Sequence, residues 1–225
     1  MQENDDAHPD GPLDRMLQRS DALHQRLIGL LEDSDFDGFT PWRSGTGHVH
    51  SGAGACDSLA RPDGLGMPTS AVSLMRLQFE ALTRAMWLIY AASDAAIAKL
   101  SAPLSLEAEQ GAKNLPNASE MIEQIGKRVD RGVPAVAHQM LVHFKQVCWT
   151  AMNSFVHGGI HALRRNGDGF PVNLALQILR NSNGLSTMWG MTMAILTGDE
   201  NVTKPMSKIQ PEYADCLPDL LRRKL

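Results

Sequence analysis

The sequence predicts an all-α protein, a helical bundle of four to five main helices. Three observations carry that expectation. Long stretches space their apolar residues at three and four positions, the period of one helix face. Strand-like alternation and internal repeats are both missing from the 225 residues. Stop and start signals divide the chain: Asn117 with Glu120, Gly132 with Pro134, the run NGDGFP at 166–171, and Gly198.

The elements follow in order. Residues 1–12 are polar and acidic, with Pro9 and Pro12, and read as a disordered tail. The remainder, 13–225, reads as a single helical-bundle domain. Leu13, Met16, Leu17, Leu23, Leu27, Leu30 and Leu31 follow helical spacing. Residues 33–68 hold seven glycines and no period, which predicts a Gly-rich loop; a short helix at 55–59 is the alternative. One long helix is expected over 69–100, capped by Thr69 or Ser70 after Pro68. A weaker helix covers 105–114. The Asn117–Glu120 capping box opens another that runs to about 131. Further helices are expected at 135–165 and 172–197, with a short one at 212–224.

Composition narrows the function classes. A net charge of -4 and a pI near 6.0 give no global attraction to nucleic acid, although a local basic patch stays open. Cys56, Cys148 and Cys216 are odd in number and far apart, which fits a reducing compartment better than a disulfide framework. The acidic N-terminus lacks the apolar core of a secretory signal. No apolar run reaches the roughly 18 residues that span a bilayer. The expectation is a cytoplasmic protein without membrane association.

Two helices carry a narrow polar line on an otherwise apolar surface. With about 100° per residue, Gln139, His143, Gln146, Thr150, Asn153, His157, His161 and Arg164 fall on one line of the 135–165 helix. It is mostly amides, hydroxyls and imidazoles, whereas a solvated face is usually rich in Glu and Lys. Thr69, Ser73, Arg76, Glu80, Thr83, Trp87 and Asp94 form the matching line on the 69–100 helix, with Arg84 at its border. Gln78 and Lys145 are the exceptions on the apolar sides. Charges are costly to bury unpaired, and Arg76, Glu80 and Arg84 can pair along their own helix. If both lines face one cleft, Arg76, Glu80, Arg84, Asn153, His157 and His161 converge in a polar pocket. The alternative is that each line is the solvent edge of a structural helix. Gly158 and Gly159 have a similar double reading, since small residues also permit close helix approach.

The stretch SLMRLQFEALTRAMWLIYAASD (73–94), with NSFVHGG (153–159), resembles a group of bacterial helical proteins associated with the HEPN superfamily. The carriers are Arg76, Phe79, Glu80, Arg84 and Trp87 on an early helix, and a later helix ending in a short Asn/Ser-x-x-His-Gly motif. They cover about the middle two-thirds of the chain. The resemblance implies an α-helical bundle, often a homodimer, linked to toxin–antitoxin pairs, phage defence and RNA cleavage. Active members of that superfamily carry R-x4-6-H, with Arg on the scissile phosphate and His in acid–base work, and need no metal. Here the positions preceding His157 hold Thr150, Ala151 and Met152, so the usual Arg is missing. Arg131 and His138 fit the letters only across Gly132-Val133-Pro134. A nuclease would therefore draw its cation from Arg76 or Arg84 on the other helix.

The candidate site follows. His157 is the general base or ligand contact and His161 its neighbour. Arg76 and Arg84 bind phosphate, Glu80 positions an Arg, Asn153 orients ligand or imidazole, and Arg164 adds a phosphate contact. The expected partners are RNA or a nucleotide, an antitoxin or other protein, and a second copy of the chain. No cofactor and no metal are expected. His157 and His161 have a zinc-compatible H-x3-H spacing, with Glu80 as third ligand, but neither HExxH nor CxxC occurs. His48, His50 and Cys56 are a weaker version of the same idea. The glycines at 45, 47, 52 and 54 do not form a dinucleotide fingerprint. Cys148 lies on an apolar face and reads as core. A different class of function also fits: a non-catalytic helical interaction or dimerisation module with a structural polar stripe.

Overall fold

The computed structural model of the chain describes residues 11–34 and 68–219. Among them the regular structure is entirely helical, so the all-α bundle stands. The tail at 1–10 and the segment 35–67, with the expected Gly-rich loop, the 55–59 helix, His48, His50 and Cys56, lie outside the described residues. So do residues 220–225.

Helix α1, Pro12–Leu31, starts on a proline, whose missing N–H is no loss in a first turn. Met16, Leu23, Leu27 and Leu31 form its buried stripe. Helix α2, Pro68–Tyr90, is buried almost all round. Thr69 and Ser70 lie inside it and do not cap it. The expected single helix over 69–100 is two. Ala91 and Ala92 both donate to the Trp87 carbonyl, and extended Ser93 accepts from the Ala96 N–H to open α3, Asp94–Ser101. Asp94 thereby leaves the α2 polar line.

Ser105 caps α4, Leu106–Ala112. Helix α5, Ala118–Gly126, opens on the expected capping box: the Asn117 carboxamide accepts from Ser119 and Glu120, and Glu120 accepts from the Asn117 N–H. It ends earlier than the sequence suggests, in a 3-10 turn at Val129–Arg131 and Gly132 at φ 106°. Helix α6 is Ala135–Val156, α7 is Ile160–Asp168, and α8 is Val172–Thr197, stopped by left-handed Gly198 as expected. The chain continues through α9, Glu200–Met206, a helix absent from the sequence expectation that holds Pro205 near its end, and α10, Ile209–Glu212. The expected helix at 212–224 does not form in its described part. Ala214–Cys216 is a 3-10 turn, and Leu217 is extended because Pro218 disfavours the helical region for the residue before it.

Two apolar clusters share α8 as a wall. One joins α2, α5, α6 and α8 through Phe79, Leu82, Met121, Ile125, Leu141 and Met152. The other joins α1, α8, α9 and the C-terminal turns through Leu23, Leu27, Leu179, Met193, Met206 and Ile209. Trp189 packs against both. Phe79 is wholly buried, stacked on Phe144 at 4.7 Å and edge-on to Trp149 at 6.1 Å. Arg19 fastens the C-terminal turns to α1 by pairing with Asp215 at 2.9 Å and lying over the Tyr213 ring at 4.1 Å.

The expected continuous helix over 135–165 breaks at His157-Gly158-Gly159. Gly159 donates to the Ser154 carbonyl and Gly158 to that of Phe155, the paired bonds of a Schellman stop. Gly158 sits at φ +64°, where a side chain is strained. A Cβ on Gly159 would lie 2.6 Å from Ser154 Oγ and 3.2 Å from its backbone. The same Ser154 Oγ accepts the His161 N–H, so it caps the start of α7 in place of the missing side chain at Gly159. Gly158→Ala and Gly159→Ala are each expected to cost about 1–2 kcal/mol of unfolding free energy, read from urea melts. Unchanged midpoints in both would contradict this account of the break.

Candidate functional site

Arg76 lies on the α2 face that meets the end of α6. Its Nε donates to Glu80 Oε1 at 2.9 Å, one turn on, and the pair is sheltered, with side-chain exposures of 16% and 30%. The guanidinium carbon sits 4.8 Å from the centroid of the Trp149 ring. One Nη approaches His157 Nε2 at 3.3 Å. Arginine only donates, so Nε2 is the acceptor here and a neutral His157 carries its proton on Nδ1. Three of the expected residues, Arg76, Glu80 and His157, thus come together from two helices, and Trp149 joins them.

The rest of the expected constellation does not assemble. His157 and His161 share no helix face, because left-handed Gly158 turns the chain between them. The exposed His161 ring instead lies near Phe155, at 6.0 Å between centroids. Arg84 and Arg164 are exposed and make no ion pair among the described residues. Asn153, one turn before His157, is half-buried, and its Oδ1 is buried with no hydrogen-bond partner among the described residues. The two polar lines do not border one cleft along their length. Gln139, His143, Gln146 and Thr150 face solvent, while on α2 Thr83 and Trp87 turn inward, and Trp87 Nε1 donates to Gln124 at 2.8 Å. The lines meet only where Arg76 reaches His157.

Sequence reasoning missed three contributors. Trp149 lies off the polar line of its helix, yet its ring carries the Arg76 guanidinium. Ser154, four residues before the glycine pair, is not among the expected residues, yet its Oγ accepts the His161 N–H and caps α7. Gln78, an isolated amide on an apolar face, is 5% exposed and pairs with Ser182 in both directions, at 2.9 Å and 3.1 Å, and with Ser186 Oγ at 2.9 Å. Its very isolation was the signal, since a buried amide requires partners. His24 of α1 meets the same Ser186 Oγ at 3.1 Å. Gln78, Ser186 and His24 border a small cavity of about 10 Å³ with Leu27, Leu82, Leu185 and Trp189, about the space of one water.

Among the described residues, no group of three or more His, Cys, Asp or Glu is placed to hold a metal ion, and no helix is long and apolar enough to cross a membrane. Burial pushes the Cys148 thiol up to about 11, and burial together with Asp215 does the same for Cys216.

The family described as "Family of unknown function (DUF6988)" matches residues 41–219. The chain belongs to that family. No curated protein and no solved structure matches it. The DUF6988 span contains Arg76, Glu80, Trp149 and His157, while α1 lies before it.

The thiol shifts set a pH expectation for this DUF6988 chain. The folded form holds both protons to higher pH than the unfolded chain, so the stability they add is present below pH 9 and lost as pH rises toward 11. Urea melts between pH 8 and 11 should show a steeper alkaline loss for the wild type than for Cys148→Ala/Cys216→Ala. Equal losses would contradict it.

Proposed function

We propose that this chain is a HEPN-like protein of bacterial toxin–antitoxin or phage-defence type, which binds RNA or a nucleotide at Arg76, Glu80 and His157 in the cytoplasm. The observation that supports it is the 3.3 Å approach of Arg76 to His157. It brings an arginine and a histidine together across two helices although the sequence lacks the usual single-helix spacing.

The chemistry is that of a cation beside an imidazole. Guanidinium matches phosphate geometry, and Glu80 occupies only Nε, which leaves the Nη edge, now turned toward His157, for a phosphate. A bound phosphate would compete with His157 for Arg76. Drawing the guanidinium away releases the Nε2 lone pair. His157 then takes the proton of a ribose 2′-hydroxyl, the 2′-oxygen attacks phosphorus, and the 5′-oxygen leaves with a proton from water. This is a metal-independent ribonuclease route in which Arg76 holds the phosphate and Glu80 holds Arg76. His161, Arg84, Asn153 and Arg164 have no step in it. An antitoxin-type partner would cover the exposed His157 edge.

A non-catalytic interaction module is the second reading. The solvent-facing line Gln139, His143, Gln146 and Thr150 favours it, as does the pairing of Arg76 with Glu80 in the free protein.

The test is growth and total RNA integrity in a bacterium expressing the wild type, Arg76→Ala or His157→Ala, with binding of a fluorescent single-stranded RNA measured on the purified proteins. The wild type is expected to arrest growth and fragment RNA, and both variants to lose this. Arg76→Ala should also weaken binding roughly 10- to 150-fold, the loss of one charge-assisted contact of about 1.5–3 kcal/mol. Three folded proteins that behave alike would remove the RNA reading and leave the interaction module.

A further inference from the structure

Gln78, Ser182, Ser186 and His24 meet from α2, α8 and α1 beside the small cavity, and their hydrogen bonds run in one direction. The Ser182 carbonyl only accepts, which settles the orientation of the Gln78 amide. Both Gln78 amide protons are therefore spent, on that carbonyl at 3.1 Å and on Ser186 Oγ at 2.9 Å, while Gln78 Oε1 accepts from Ser182 Oγ at 2.9 Å. Ser186 Oγ accepts from Gln78, so its own proton is directed to His24 Nε2 at 3.1 Å. Two acceptors keep a lone pair in this arrangement, Gln78 Oε1 and Ser186 Oγ. One donor lacks an acceptor: Trp189 Nε1 is buried with no hydrogen-bond partner among the described residues.

We propose that the cavity is a binding site for one ordered water molecule, which accepts from Trp189 Nε1 and donates to Ser186 Oγ and Gln78 Oε1. Three independent observations support this ligand. The volume of about 10 Å³ admits a single water and nothing larger. Trp189 stands three residues after Ser186 on the same face of α8 and lines the cavity with it, so the unpaired indole N–H and the open acceptors border one space. The lining is polar enough to hold a water: an apolar cavity stays dry, whereas this one offers one donor and two acceptors, the usual number of partners for a buried water. The remaining walls, Leu27, Leu82 and Leu185, are buried and supply no competing polar group. Water answers all three open positions at once because it both donates and accepts. It joins Trp189 to the Gln78 pairing that fixes α2 on α8, and it lies beside the His24 imidazole of α1. The site is independent of the Arg76–His157 reading.

Water-selective NOE and ROE spectra of the isotope-labelled full chain test the site, with the Trp189 indole N–H assigned by triple resonance. In the wild type this proton should show a cross-peak at the water frequency that has opposite sign in the two spectra, the mark of a water held longer than the protein takes to tumble. Ser186→Ala removes the hydroxyl beside the cavity whose exchanging proton would relay such a signal. The cross-peak should persist there, because the water keeps Trp189 Nε1 and Gln78 Oε1 and gains the His24 Nε2 that Ser186 had used. A wild-type indole proton with no cross-peak means a dry cavity and overturns the proposal. So does a cross-peak of one sign in both spectra, which is proton exchange with bulk solvent. A cross-peak lost in folded Ser186→Ala assigns the signal to the hydroxyl, and the proposal again falls.

Discussion

The bundle is organised by the nearly complete burial of α2. A helix touched by α5, α6 and α8 has almost no solvent edge, so each polar group it carries must find a partner in a neighbour. Apolar contacts are tolerant of sliding; hydrogen bonds are not. Gln78 pairs with Ser182 in both directions and fixes the register of α2 on α8. Ser186 extends that pairing to His24 and so brings in α1. Trp87 binds Gln124 and fixes α5. Leaving any of these buried groups without its partner costs about 1–3 kcal/mol, a large share of the stability of a domain this size. Thr83 is the exception, its hydroxyl buried with no partner among the described residues.

Arg76 is the charged member of the same series. It sits where α2 emerges toward the end of α6, so it is only partly sheltered, and it uses Glu80, Trp149 and His157 together. His157 is available because α6 stops there. The glycine pair ends the helix, and Ser154 starts the next one, so the imidazole lies at a helix terminus with one side open to solvent. A longer α6 would have carried residue 157 into another register. The candidate site thus depends on a local backbone feature as much as on its side chains.

Most of the fold was legible in the sequence. Periodicity located α1, α2, α6 and α8, and the Asn117–Glu120 box and Gly198 marked ends that the structure keeps. The misplaced boundaries share a physical cause. Amphipathic spacing passes smoothly through Ser93 and through His157-Gly158-Gly159, because the pattern records which residues are apolar and not where the backbone turns. Of the candidate site, the helical pairing of Arg76 with Glu80 could be read from i, i+4 spacing. Its junction with His157 could not, since it depends on how α2 packs on α6. His161 was misjudged for the reason that α7 was: the line was projected through a glycine that leaves the helix. Trp149 was hidden by its own chemistry, an aromatic that packs like a core residue and also receives a cation.

The central proposal is that Arg76 and His157 act as one nucleotide site across α2 and α6, Arg76 on the phosphate and His157 beside the ribose. NMR of the Arg76 Nε–H and the His157 ring, during titration with an uncleavable 2′-deoxy-substituted RNA oligonucleotide, tests it most directly. The account predicts saturable shifts of both resonances with a single affinity, while the His161 ring moves little. Binding that moves Arg84 or Arg164 and leaves Arg76 and His157 in place would contradict it, as would the absence of any saturable shift.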